Sequence, residues 1–237
     1  MQIPRNCCNS FRDPKMSKKT SEQLVKEIIK DIHKTIDELR QKELIRDECG
    51  LSEKSTGPQS YEISFSGKSG VNSVMLDKHV SASYVMNTLL LDRQYTILLY
   101  DKGIIQAEFR VDDGEVIKER LIFLKKHNRV WNKEEIAMAD AEDEDWFADE
   151  ESVPIFLRVD YDPSCHVECD HPASHMTLSN AGSCRIPIQD ALTFSEFMRF
   201  ILLHFYGVKL EVPIYRLEKE NTISYLERKM IHLGWNS

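Results

Sequence analysis

Apolar residues first recur with a regular period at Val25, Ile28, Ile29, Ile32, Ile36 and Leu39, which is helical spacing. Thr20 and Gln23 just upstream make a capping-box pair, so the pattern predicts a long amphipathic helix from Thr20 to near Gly50. His33 lies beside the apolar stripe and reads as a packing or solvated side chain. Residues 51–70 are punctuated by Gly and Pro, with YEISF at 61–65 the only strand-like piece. Between residues 74 and 91, Val80, Tyr84, Val85, Leu89 and Leu90 suit a short helix.

The clearest β pattern follows. YTILLY (95–100), IIQAEFRV (104–111) and VIKERLIFL (116–124) are separated by Asp101-Lys102-Gly103 and Asp112-Asp113-Gly114, an antiparallel meander with Gly-ended turns. The middle strand puts Ile105, Ala107, Phe109 and Val111 on one face and Gln106, Glu108 and Arg110 on the other, as in a sheet with one wet face. A three-residue loop at 112–114 sets Phe109 opposite Ile117 and Glu108 opposite Lys118. A two-residue loop sets Phe109 against Lys118, so the first register is expected.

In the second half, VPIFLRVDYDP (153–163) alternates Ile155, Leu157, Val159 and Tyr161 against Arg158, Asp160 and Asp162. MTLS (176–179) and CRIPI (184–188) are short strands around the turn-rich residues 180–183. LTFSEFMRFILLHFYG opens with a second capping box, Thr193 and Glu196, and ends at Gly207, suited to a left-handed cap. Its apolar residues cover most of the circumference, which predicts a buried helix. A last helix is expected over 218–233, with Trp235 beside it. The pattern is α+β: an antiparallel sheet of about six to eight strands, meander plus C-terminal strands, packed by a long N-terminal helix and a buried C-terminal helix. Residues 20–237 read as a single domain preceded by a flexible arm at 1–19, with Met16 an alternative start and an acidic loop at 133–152.

Composition changes this picture little. Of 237 residues, 41% are hydrophobic and 30% charged, enough apolar material for a core. No apolar run approaches the ~18 residues a bilayer span requires, and the amino terminus lacks a signal-peptide pattern. A cytoplasmic protein without a membrane partner is therefore expected. Six cysteines, two adjacent at Cys7 and Cys8, are too sparse for a secreted disulfide scaffold and read as reduced thiols. Charge adds more: residues 140–151 hold eight acids and no base, which accounts for the whole net charge of −8. Residues 117–133 carry six Lys or Arg and one Glu. The two stretches either bind each other, leave the acidic one shielding a basic surface, or are simply solvated.

The densest chemistry is DYDPSCHVECDHPASH, residues 160–175, and three readings of it stand open. Cys165, Cys169, His171 and His175 supply four zinc ligands, with Cys184 and His166 in reserve, although no CxxC knuckle is present. Alternatively, antiparallel pairing of the 153–163 strand with the strand entered at His175 gathers Arg158, Asp160, His175 and Thr177 on one face, with His171 at its rim. Two histidines can share base and acid roles in metal-independent phosphodiester cleavage. The arginine then steadies phosphoryl charge and the aspartate orients an imidazole. Asp160 and Asp162 could instead hold Mg²⁺. The third reading is structural: an Arg158–Asp160 in-strand ion pair, with Asp-Pro and Asp-His-Pro turns.

The PIFLRVDYDP, HPASHMTLS and CRIPI segments, followed by FMRFILLHFY, resemble an uncharacterised bacterial family, the domain of unknown function 2290, over most of residues 20–232. That resemblance implies no catalytic assignment. An Arg-x-Asp strand followed by a His-Pro-x-x-His segment is more distantly similar to a pattern in small toxins of bacterial toxin–antitoxin modules, here with Ala173 and Ser174 between His171-Pro172 and His175. The resemblance implies a protein binding or cleaving nucleic acid in a defence or toxin-type module, or working with a partner protein encoded nearby. The expected site is Arg158, Asp160, His171 and His175. A non-enzymatic interaction protein docking through its acidic segment, and a zinc-binding structural protein, are the alternatives. A Zn or Mg cofactor is implied only by the metal readings.

Overall fold

The capping box at Thr20 forms as expected: Thr20 Oγ1 accepts from Gln23 N at 3.3 Å and Thr20 N donates to Gln23 Oε1 at 3.0 Å. It starts α1 (Ser21–Gln41), whose Leu24, Val25, Ile28, Ile32, Ile36 and Leu39 are buried. The helix stops well short of Gly50. Glu43 takes a left-handed φ of 56°, Leu44 N closes back on Leu39 O at 3.0 Å, and the chain leaves as β1 (Ile45–Glu48). The computed structural model of the protein describes residues 19–66, 82–126, 133–141, 154–178, 184–213 and 221–234. Residues 1–18 of the arm expected at 1–19, with Cys7 and Cys8, the turn-rich residues 180–183 and Trp235 lie outside them.

β2 (Leu51–Gly57) and β3 (Ser60–Phe65) form a hairpin. Only the second was expected, because LSEKSTG has no apolar alternation and its central residues are exposed. α2 (Ala82–Leu91) is the short helix expected between residues 74 and 91, of which 74–81 lie outside the described residues. The meander is β4 (Ile97–Leu99), β5 (Ile104–Asp112) and β6 (Glu115–Lys125), and its register differs from expectation. The turn sets Asp112 opposite Glu115 and Val111 opposite Val116, and a bulge then carries Ile117 past the ladder so that Arg110 faces Lys118 and Phe109 faces Glu119. The bulge preserves the apolar face, which is why a hydrophobic pattern alone could not locate it. Glu119 is nonetheless buried, because its Oε1 accepts Leu192 N at 3.1 Å.

β7 (Ile155–Tyr161), β8 (Ser174–Leu178) and β9 (Arg185–Pro187) complete a nine-stranded sheet in the order β1-β4-β5-β6-β7-β8-β9, with β2–β3 attached through β3 to β5. All its strand pairs are antiparallel. The second capping box forms at Thr193 and starts α4 (Phe194–Ile201), which runs into a π-turn at Leu202–Tyr206 and ends at Gly207 with φ 65°. α1 and α4 cover one face of the sheet, and Asp31 Oδ2 accepts Ser195 N between them at 3.0 Å.

The opposite face is not uniformly wet. At one end Ile104, Ile122, Leu124 and Phe156 pack with Val85, Met86 and Leu89 of α2 in a second core. Two further expectations are corrected. The presumed acidic loop begins as α3 (Lys133–Ala141), with 142–153 outside the described residues. Residues 221–234 hold only a 3₁₀ turn, Glu227–Lys229, where a helix over 218–233 was expected. Backbone bonds decide that case. Leu233 N donates to Pro187 O and Gln189 N to Leu233 O, both at 2.9 Å, while Ile231 and Tyr225 stay exposed.

Candidate functional site

β6 grades from Leu124 and Ile122, under α2, to Arg120 and Lys118 on the same face. Antiparallel pairing carries that polar half across the sheet. Glu108 lies opposite Arg120, Arg120 opposite Asp160, and Asp160 opposite His175, with Arg158, Thr177 and Arg185 aligned two residues along the strands. Period-two geometry therefore places Arg158, Asp160, His175 and Thr177 together on the second face.

Asp160 is the hub. Its Oδ1 accepts from Arg120 Nε at 3.0 Å and its Oδ2 from Arg158 Nε at 2.5 Å. The arginine side chains are about one-fifth exposed, at 20% and 17%, so the pairs are screened less than surface ones. Because Nε makes both bonds, the terminal nitrogens of each guanidinium remain for another oxygen. One carboxylate between two guanidiniums leaves a local surplus of positive charge.

His175 is 2% exposed, and its Nδ1 lies 3.0 Å from Pro172 O. A carbonyl only accepts, so Nδ1 carries the proton and Nε2 holds a lone pair. Nε2 stands 3.8 Å from Asp160 Oδ2, too far for a hydrogen bond but close enough to favour a proton arriving there. Burial pushes the imidazole below its ordinary 6.5; the Pro172 bond and the Asp160 charge oppose this, and His171 and Arg185 reinforce it. His175 is thus neutral at pH 7. The His171 ring meets it edge-on at 4.8 Å, so the expected quartet does assemble.

Burial raises the Glu108 carboxyl, and the Arg120 charge only partly offsets this. Two buried polar atoms here, His171 Nδ1 and Thr177 Oγ1, have no hydrogen-bond partner among the described residues.

Much of the remaining 160–175 motif holds loop structure. Asp162 Oδ1 accepts from Ser164 N at 3.2 Å and from its hydroxyl at 2.5 Å, capping a 3₁₀ turn at Pro163–Cys165. Burial opposes ionisation of Asp162, but Ser164 and Lys118, 3.3 Å away, keep it below the usual aspartate value. Glu227, fully buried, accepts from Cys169 N at 3.3 Å and Ser224 N at 2.9 Å and contacts His166 Nε2 at 3.3 Å. The zinc tetrad is not assembled. Cys165 and Cys169 are exposed, and among the described residues no three His, Cys, Asp or Glu side chains gather as metal ligands. Asp160 and Asp162 likewise face separate cationic partners rather than a shared point.

Arg120, Glu108 and Arg185 were not foreseen as site residues. A signal existed, since Arg120 alternates onto the same face as Glu108, but only the bulge at Ile117 aligns the two.

A model of the family described as "Uncharacterized conserved protein (DUF2290)" matches residues 44–235. That is most of the chain, and the chain belongs to this family. No curated protein and no solved structure matches it. No helix among the described residues is long and apolar enough to cross a membrane.

Proposed function

We propose that in this member of the DUF2290 family the cluster of Arg120, Arg158, Asp160, His171 and His175 cleaves nucleic acid by metal-independent phosphodiester chemistry. The single observation that carries the reading is His175: a neutral imidazole with its tautomer set by Pro172 O, its Nε2 lone pair beside a carboxylate and two arginines. Nε2 takes the proton of the attacking hydroxyl, and the imidazolium so formed is stabilised by Asp160. The terminal nitrogens of Arg120 and Arg158 receive the charge that builds on the phosphoryl oxygens, and His171 gives a proton to the leaving oxygen. A bacterial defence or toxin-type module, with a partner protein encoded nearby, rests on the sequence resemblance alone, and a cytoplasmic setting on the absence of a membrane-length apolar run and of a signal-peptide pattern in the sequence.

The burial of His175 and Asp160 favours a second reading, in which the cluster is an internal ionic lock of a non-enzymatic interaction protein. Incubating wild type and His175→Ala with total RNA, single-stranded DNA and double-stranded DNA, each with and without a chelator, separates the two. Cleavage that survives the chelator and is lost in the variant supports the enzyme. Silence from wild type on all substrates transfers the assignment to the lock.

A further inference from the structure

Thr177 is the one strand residue of the cluster whose side chain the network leaves unused. It is 3% exposed, and its Oγ1 is buried without a hydrogen-bond partner among the described residues. A buried hydroxyl with nothing to bond to destabilises the native state, so it calls for an explanation in what the site holds. On the ladder, Thr177 stands directly between Arg158 of β7 and Arg185 of β9, all three on the polar face. Arg158 spends Nε on Asp160, and Arg185 places Nη1 3.3 Å from Asp170 O, so both guanidiniums keep donors in reserve. Arg185 also acts on His175 as a neighbouring positive charge.

A hydroxyl donor flanked by two planar cationic forks is matched by a tetrahedral oxyanion, whose several oxygens can each meet a separate donor. We propose that Arg158, Thr177 Oγ1 and Arg185 form the seat of a phosphoryl group, two residues along the strands from His175 and its Nε2 lone pair. The inference rests on the cleavage reading for its substrate class, and it adds Thr177 and Arg185 of the β7-β8-β9 row to the Arg158 contact of that reading. Thr177 is a binding residue in this account and transfers no proton.

The test is binding of inorganic phosphate, followed by calorimetry and by thermal midpoint at ionic strength held constant with KCl. Phosphate should raise the midpoint of the wild type, as any ligand specific to the native state does. Thr177→Val, which keeps the shape and removes the hydroxyl, should weaken phosphate at least about tenfold, as should Arg185→Gln. In phosphate-free buffer Thr177→Val should melt at or above the wild-type midpoint, because it deletes an unpaired group.

Absence of phosphate binding by wild type overturns the proposal. So does equal binding by Thr177→Val, or a lower phosphate-free midpoint for that variant, which would mean the hydroxyl has an internal role. His175→Ala keeps the two readings separable: it should bind phosphate as wild type does while losing cleavage. Phosphate bound at the seat by a wild type that cleaves nothing would sustain the seat and remove the catalytic reading.

Discussion

At the scale of single residues, Asp160 holds two guanidiniums on a mostly buried face, so removing its charge leaves both unneutralised. Asp160→Asn should destabilise by about 3 kcal/mol in chemical denaturation; a loss below about 1 kcal/mol would mean the arginines find other acceptors. His175 makes a pH prediction. Its folded value lies below the unfolded 6.5, so between the two the unfolded chain binds a proton that the native state refuses. This part of the stability is intact above pH 6.5 and is lost as pH falls from there toward the folded value. The thermal midpoint of wild type should therefore drop more across that window than that of His175→Gln, and parallel curves would contradict the buried neutral imidazole. The quartet Arg158, Asp160, His171 and His175 was legible because strand alternation and one antiparallel pairing suffice to place it. Arg120 was not, because its position depends on a bulge at Ile117, opposite the step from Arg110 to Val111, that leaves no mark in the apolar pattern.

At the scale of elements, local signals and tertiary ones separate cleanly. Both capping boxes formed, since a Thr and a Gln or Glu three residues on satisfy each other within one turn. β2 could not be read, because a polar edge strand is specified by the neighbour it pairs with. The end of α1 was misplaced for the same reason: LIRDE joins the sheet through β4. The burial of α4 was legible from its apolar circumference, and Phe197 is 0% exposed. Phe197→Ala should cost about 3 to 5 kcal/mol, and a measured cost under about 1 kcal/mol would exclude that helix from the core.

At the scale of the whole molecule, the sheet has one face committed to α1 and α4 and a second divided between a small apolar core under α2 and a polar field around Asp160. The main core sets the strand positions, and those positions bring Arg120, Asp160 and His175 into line across three strands. Glu227 ties the loop that carries His171 to the C-terminal segment through Cys169 N. Burial acts to raise the Glu227 carboxyl, but the backbone donors of Ser224 and Cys169 and the contact with His166 hold it below its ordinary 4.5. Glu227→Ala should therefore speed proteolysis of the 163–172 loop at neutral pH while leaving the midpoint of the rest nearly unchanged; unchanged proteolysis would show that the loop is held elsewhere.

The cleavage rate of wild type on one RNA oligonucleotide, in excess chelator and at limiting substrate, read from pH 5 to pH 8, tests the central claim most directly. The acid limb of that profile reports the ionisation of the free protein's base. The account predicts cleavage that persists below pH 6.5 before falling, because His175 is the base and burial lowers its proton affinity. An acid limb at or above pH 6.5, or no cleavage at any pH, would contradict it.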